Sequence, residues 1–404
     1  MTLDWLAERT IPLRTLDPRD QDLSDLEPLG DMVGDARVVA VGESAHGARE
    51  FYQIKHRILR YLVRELGFSA FVMESGFAES LAVNKWIQGG VGDLDEISRT
   101  GITYGFGDGD DMHDQLTWMR GWNETHTHQV RFYGLDLPGS STSPGPGIRA
   151  CLARLDAVSG DDALAALGEL GTQMEAVARY RSMPARERTR LSRGLAILVE
   201  RARISSDEVA LRCALSVQRL DEMLAMEWPV VRPTDGNPRD QFMADTVQWI
   251  LDREARIVIS AHNGHVGRGL WHGRPVLGSL LDSVLGDAMV VVGTTYGAGR
   301  VVRVVPHGPL PTNWEVTLDE LAPPPARSLD ALMASAGLPL HFLNLRALPD
   351  GLVESTAMVV DHDLWDIAPQ SAFDAVIHVD HVSPVIGAFE SFRDDIARGK
   401  SLHN

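Results

Sequence analysis

Residues 37–47 read RVVAVGESAHG. A β-branched run stops at Gly42, and Glu43, Ser44 and His46 follow within four positions. An imidazole titrates near neutrality, so His46 can take a proton from water and return it to a leaving group. A carboxylate at its side, Glu43 or Glu74, would orient the ring and stabilise the imidazolium. Glu74 closes a second apolar run, SAFVMES at 69–75, with Gly76 after it. A third run, ARIVISAH at 255–262, ends in His262, and Asn263 and His265 follow it. Three apolar runs that end in acids or imidazoles point to an acid–base site built from Glu43, His46, Glu74, His262 and His265.

Other chemistries fit these residues less well. Gly42 and Ser44 match the start of a G-x-S-x-G nucleophile elbow, but His46 stands where only a small residue lets the turn close. Ser44 therefore reads as a loop or N-cap hydroxyl ahead of the next helix. His262 and His265 with Glu43, Glu74 or His46 are compatible with zinc or iron, yet no HExxH or Cys/His signature is present, so no metal is assigned. DGDDMHD at 108–114 is acidic like a calcium loop, but Met119 stands where such a loop needs Glu. It reads as a solvated loop near the mouth of the site. GHVGRG at 264–269 lacks the G-x-G-x-x-G order, which argues against a dinucleotide site.

The elements that must position these residues alternate. ARVVAVG (36–42), SAFVMES (69–75) and VRFYGLDL (130–137) read as buried strands. Phe51, Ile54, Ile58, Tyr61, Leu62 and Leu66 recur at three- and four-residue steps, which makes 50–66 an amphipathic helix that Gly67 stops. SLAVNKWI (80–87) and LTWMRGWNE are also helical. SSTSPGPG (140–147) reads as a linker or exposed loop. Strands return at 255–262, 288–296, 300–306 and 372–381. The rhythm predicts an α/β fold: a mostly parallel central sheet flanked by helices, with an inserted helical subdomain. Residues 1–147 and 233–404 make the core from both ends of the chain. Residues 148–232, rich in Ala, Leu, Arg and Glu, make the helical insertion. In such sheets ligands sit outside the carboxyl ends of the strands, where the three polar clusters fall.

The 404 residues carry 38 basic and 56 acidic side chains, a formal charge of −18, and 44% are hydrophobic. That composition fills a globular core. The charge disfavours phosphate backbones and anionic lipid, so neither nucleic acid nor a membrane surface is expected as a partner. Two distant cysteines, Cys151 and Cys213, make no disulfide framework and read as small core residues. The first residues, MTLDWLAERTIPL, lack a signal peptide's basic start and apolar stretch. A soluble cytoplasmic protein is expected.

The run VVAVGESAHGAREFYQIKHRILRYLVRELGFSAFVMESGFAES resembles the signature of the erythromycin esterase family. So do LTWMRGWN, RFYGLDL, PRDQFMADTVQWI, SAHNGHV and FDAVIHVD, in order along residues 37–380. The resemblance implies an α/β core with an inserted helical region and hydrolysis of a macrolide lactone by water, without an acyl-enzyme or cofactor. It implies His46 as general base, Glu43 and Glu74 as its acidic support and His262 as the imidazole of the second block, with His265 close by. Lys55 falls at a basic position that is arginine in some resistance members, and Arg239 at another polar position. Lys55, His265, Arg239 and Asn263 are the expected substrate contacts. The expected substrate is a small molecule, large and apolar for its class, in a cleft between the sheet edge and the helical insertion. Family likeness does not fix the reaction. A polyketide tailoring enzyme, with a substrate hydroxyl in place of water, would use the same site. A metal- or haem-binding protein on the same fold is a reading of a different class.

Overall fold

Val, Ile and Ala runs that are apolar at every position suit strands covered on both faces. The computed structural model describes residues 4–171, 173–226, 236–271, 273–307, 313–349, 352–360, 363–387, 389–390, 393–394 and 397. Its strands are β1 (Thr10–Pro12), β2 (Val38–Val41), β3 (Ala70–Gly76), β4 (Arg131–Asp136), β5 (Ile257–Ser260), β6 (Leu270–Trp271), β7 (Arg274–Pro275), β8 (Met289–His307), β9 (Asn313–Glu320), β10 (Leu340–Asn344), β11 (Ala357–Val360), β12 (Asp363–Asp366) and β13 (Ala375–Val382). Nine form one sheet in the order β1-β10-β13-β8-β2-β5-β3-β4, with β9 paired to β8 off that path. From β13 to β4 every neighbouring pair is parallel. The antiparallel strands β1 and β10 close one side.

Side chains alternate across this sheet with the two-residue period of a strand. Val39, Val41, Phe71, Met73, Val258 and Val290 enter the core on one face. Val38, Ala40, Ala70, Val72, Ile257 and Val291 enter the core on the other. Helix Arg49–Leu66 covers the first face and ends at Gly67 in the left-handed conformation, φ 68°. Its buried side also carries Lys55, His56, Arg57 and Arg60. Arg57 makes a two-pronged pair with Asp25, at 2.8 and 3.0 Å.

The chain leaves the sheet after β4 and returns at β5, with only helices among the described residues between. Helices Ala185–Ser205 and Glu208–Ala225 pack there with Gly145–Leu152. Their core includes Leu191, Leu195, Leu198, Cys151 and Cys213, and it is continuous with Phe77, Leu137 and Phe242 at the end of the sheet. Both cysteines are free and buried. The last residues of the expected insertion, 227–232, lie outside the described residues. No described helix is long and apolar enough to cross a membrane.

Two loops expected from composition are something else. DGDDMHD is the start of helix Asp110–Thr125. Acids at a helix N-terminus complement its dipole, and that pattern was read as a solvated loop. Asp111 also pairs with Arg49 at 3.0 Å. SSTSPGPG is no linker. Residues 138–142 fold into a tight turn with Gly139, Ser140 and Ser141 at positive φ, and helix Gly145–Leu152 follows at once.

Candidate active site

The site lies at the carboxyl ends of four adjacent parallel strands, β2, β5, β3 and the edge strand β4, where parallel sheets bind ligands. It therefore runs from mid-sheet out to the edge strand β4, after which the chain enters its helical stretch. Glu43 follows β2, His262 follows β5, Glu74 stands two residues before the end of β3, and Asp136 ends β4.

Glu43 is buried between two partners. His46 Nδ1 lies 2.7 Å from Oε1, and the Lys55 ammonium donates to Oε2 at 2.6 Å. Burial raises the carboxyl pKa, but Lys55 and His46 outweigh it and hold Glu43 down at about 2. With Glu43 ionised, His46 donates Nδ1–H to it, so Nε2 carries the lone pair. The His46 ring is 4.4 Å from the His262 ring and 5.1 Å from Phe106, centre to centre.

Glu74 is the hub of a second cluster. Its Oε1 accepts from Arg239 at 2.7 Å and lies 3.4 Å from His265 Nε2. Its Oε2 accepts the His262 main-chain N–H at 2.8 Å. Burial opposes ionisation, but His265 and then Arg239 hold Glu74 well below the usual carboxylate range. His265 Nδ1 pairs with buried Asp240 at 2.8 Å. Burial alone would lower the His265 pKa. Asp240 and Glu74 reverse this and raise it to about 10, which makes His265 a cation at neutral pH. Arg239 grips Asp136 by two nitrogens at 2.7–3.1 Å.

Three residues that sequence reading missed complete this cluster. Asp136 follows the same strand-end rule as Glu74, and RFYGLDL could have revealed it. Asp240 sits inside PRDQ, where it reads as an ordinary first-turn acid of helix Pro238–Leu251. Tyr104 gave no signal. Its hydroxyl donates to Asp136 at 2.7 Å, and its ring lies 5.5 Å from the Arg239 guanidinium. Tyr104, Ser140 and Ser141 are three of the five described non-glycine residues at positive φ, and all three meet around Asp136. Such strain persists where surrounding contacts over-determine it, often at working sites.

Not every expected contact faces a ligand. Lys55 is 4% exposed and is spent on Glu43, so it neutralises the carboxylate instead of reaching outward. A point charge suits that place, because one Glu43 oxygen is already taken by His46. The Asn263 amide bridges the Thr294 main chain, donating to its carbonyl at 2.8 Å and accepting its N–H at 3.2 Å. Gly42 makes room for it, since a Cβ there would stand 2.0 Å from Asn263 Oδ1. His265 is buried behind Glu74 and Asp240. Arg239 keeps a fifth of its side chain open. Ser44 is fully buried, with its N–H on Thr294 Oγ1 at 2.9 Å. It is a buried hydroxyl of the loop between β2 and helix Arg49–Leu66, whose N-cap is Ala48. Among the described residues no group of three or more His, Cys, Asp or Glu side chains is placed to hold a metal ion.

The sequence model of the erythromycin esterases matches residues 63–382. The chain belongs to the erythromycin esterase family. It is 27% identical to erythromycin esterase type II of Escherichia coli, across 94% of this chain and 97% of that protein. A shorter stretch, 34% of the chain, is 26% identical to erythromycin esterase type I of the same organism. Among solved structures, a Bacillus cereus protein superposes with a TM-score of 0.75 at 24% identity, covering 95% of this chain and 98% of its own. A mutant of the erythromycin esterase EreC in its open conformation superposes at 0.75 with 19% identity, covering 93% and 98%. The last two likenesses establish the fold. The family match begins after Lys55, so the roles of Glu43, His46 and Lys55 rest on geometry.

Proposed function

We propose that the protein is an ester or macrolactone hydrolase in which His46 activates water. The Glu43–His46 pair at 2.7 Å, neutralised from behind by Lys55, carries this reading. The His46 Nε2 lone pair takes a proton as water oxygen bonds to the carbonyl carbon. His262 Nδ1 caps the Gly264 N–H at 3.4 Å, which leaves the ring proton on Nε2. That N–H and the exposed edge of Arg239 face the developing oxyanion. The intermediate collapses by breaking the carbon–oxygen bond to the alkoxide, and the His46 imidazolium returns its proton to that oxygen. The product is a hydroxy acid. No acyl-enzyme, cofactor or metal takes part in these steps.

Charge supports the assignment. Glu43, Glu74, Asp136 and Asp240 face Lys55, Arg239 and His265. Four anions against three cations leave one net negative charge, which an imidazolium at His46 would cancel. Asn263 and His265 act by positioning His262 and Glu74. The helices described within 148–226 are the lid that shapes the substrate side of the cleft, and a large apolar lactone such as a macrolide is the substrate class. Incubation with erythromycin and a lactone panel, read by mass spectrometry, tests this. Addition of one water to a lactone, abolished in His46→Ala with the fold intact, is expected. Undiminished turnover in that variant would overturn the mechanism.

A further inference from the structure

A second, apolar compartment adjoins the candidate site. Strands β11 and β12 and the segment after His265 enclose a cavity of about 250 Å³. Val276, Met358, Val360, Trp365 and Ile367 give it an apolar wall. Its charged neighbours do not ask for an ionic ligand. Arg268 is neutralised by Asp282 at 2.6 Å and Asp374 at 2.9 Å, and Asp366 is exposed to solvent.

This compartment shares a wall with the catalytic cleft. The Trp365 ring lines it and also stands edge-on to His262, at 6.1 Å and 73°. Gly264 permits that approach, because a Cβ there would lie 2.6 Å from the indole. One large apolar side chain on the cavity's own lining, Leu270, is left in water at 66% exposed. An apolar cavity with an exposed apolar side chain at its wall and a shared wall with an imidazole fits a small-molecule site.

We propose that this compartment binds the alkyl arm of an ester or lactone whose carbonyl lies against the edges of the His46 and His262 rings, with the arm passing Trp365 at the boundary. The proposal rests on the hydrolytic reading above. At the ~30 Å³ that a water-sized group occupies, the cavity takes an arm on the order of eight heavy atoms. Substrate choice then depends on the length of that arm, and Trp365 is a specificity-determining residue.

Ala368 and Ser371 line the rim and are exposed, so bulky replacements can fill the cavity without entering the core. The experiment uses δ-lactones whose alkyl side chain grows by single methylenes, with binding measured by calorimetry and turnover on the same series. In the parent, affinity should tighten about four-fold per methylene until the cavity is full. In Ala368→Trp the dependence on length should collapse, while the shortest lactone binds as before. Ser371→Trp is the second variant should the first fail to fold. Absence of the length dependence in the parent, or its survival in a folded filled variant, would overturn the proposal. Length-dependent binding without turnover would keep the compartment and reject the hydrolytic reading. Turnover without length dependence would do the reverse.

Discussion

Replacing Glu43 by glutamine tests how the base is held. The change keeps shape and removes one charge. Glu43 now accepts from His46 on one oxygen and from Lys55 on the other, at 2.7 and 2.6 Å. A carboxamide cannot accept on both sides. Lys55 is buried and donates only, so the amide oxygen turns to it and the NH₂ turns to His46. His46 must then accept at Nδ1 and carry its proton on Nε2, the tautomer that cannot act as base. An imidazole held in the wrong tautomer loses on the order of 10⁴ in kcat. The ammonium-to-oxygen bond that enforces the flip is worth about 1.5–3 kcal/mol, or roughly ten- to hundred-fold in orientation. Removing the ammonium as well, in Glu43→Gln/Lys55→Met, frees the oxygen to face His46. The double variant should therefore recover ten- to hundred-fold over Glu43→Gln, though not to the parent level. Steady-state kcat on a lactone substrate, with the ¹⁵N shifts of His46 as a tautomer readout, decides it. A Glu43→Gln variant within ten-fold of the parent, or a double variant slower than the single, would refute the argument.

Gly42→Ala should lower stability by about 3 kcal/mol or more, because the new methyl displaces the Asn263 amide from Thr294; urea unfolding measures it, and an unchanged midpoint would contradict the packing. Tyr104→Phe removes the hydroxyl from Asp136 while leaving the ring on Arg239, so stability should fall by about 1 kcal/mol and kcat should drop with little change in KM. Loss confined to KM would show that the hydroxyl meets substrate instead. Burial holds His56 and His378 neutral down to about pH 3, against an ordinary value near 6.5. Between those values the unfolded chain binds the extra protons, so stability falls as pH falls, by about 2 kcal/mol per group at pH 5. His265, raised to about 10, contributes fully below pH 6.5 and loses its contribution as pH climbs toward 10. Melting temperature should therefore peak near neutrality, and His56→Leu should flatten the acid limb. An acid limb as steep in that variant as in the parent would show that His56 is not the cause.

The strands that carry the site were legible because β-branched runs end at glycines and polar residues, as at Val41–Gly42 and Met73–Glu74. What adjoins what was not. β5 inserts between β2 and β3 although some 180 residues of chain separate it from β3, and no local pattern encodes a pairing that distant. The short antiparallel strand β10 was missed for the same reason, since its partners β1 and β13 lie far from it in sequence. The turn at 138–142 shows the limit of composition. Ser, Gly and Pro announce a change of direction, but they do not say that Ser141 will be buried on Asp136. Asp240 was hidden because an acid in a first helical turn reads as an ordinary partner of the helix dipole, and Lys55, named as a substrate contact, lies on the buried stripe of its helix with Phe51 and Ile58.

The two clusters divide the work by how they are held. Glu74, Arg239, Asp136, Asp240 and His265 form a closed network in which each charge has a partner of opposite sign. Such a network, buried and fully paired, is stiff and costly to break. Its role is to fix the His262 main chain through Glu74 Oε2. The Glu43–His46 pair stands at the open side of that frame, with 37% of the His46 side chain exposed. In the proposed reaction, attack by water would create an imidazolium there and an oxyanion beside His262 in the same step. The net negative charge of the frame favours the first, and the nearby ring proton and guanidinium favour the second, so the zwitterion forms without the frame having to rearrange. That is why changes at the base and at Arg239 should act on kcat, while changes at Asp240, deep in the network, should act first on stability.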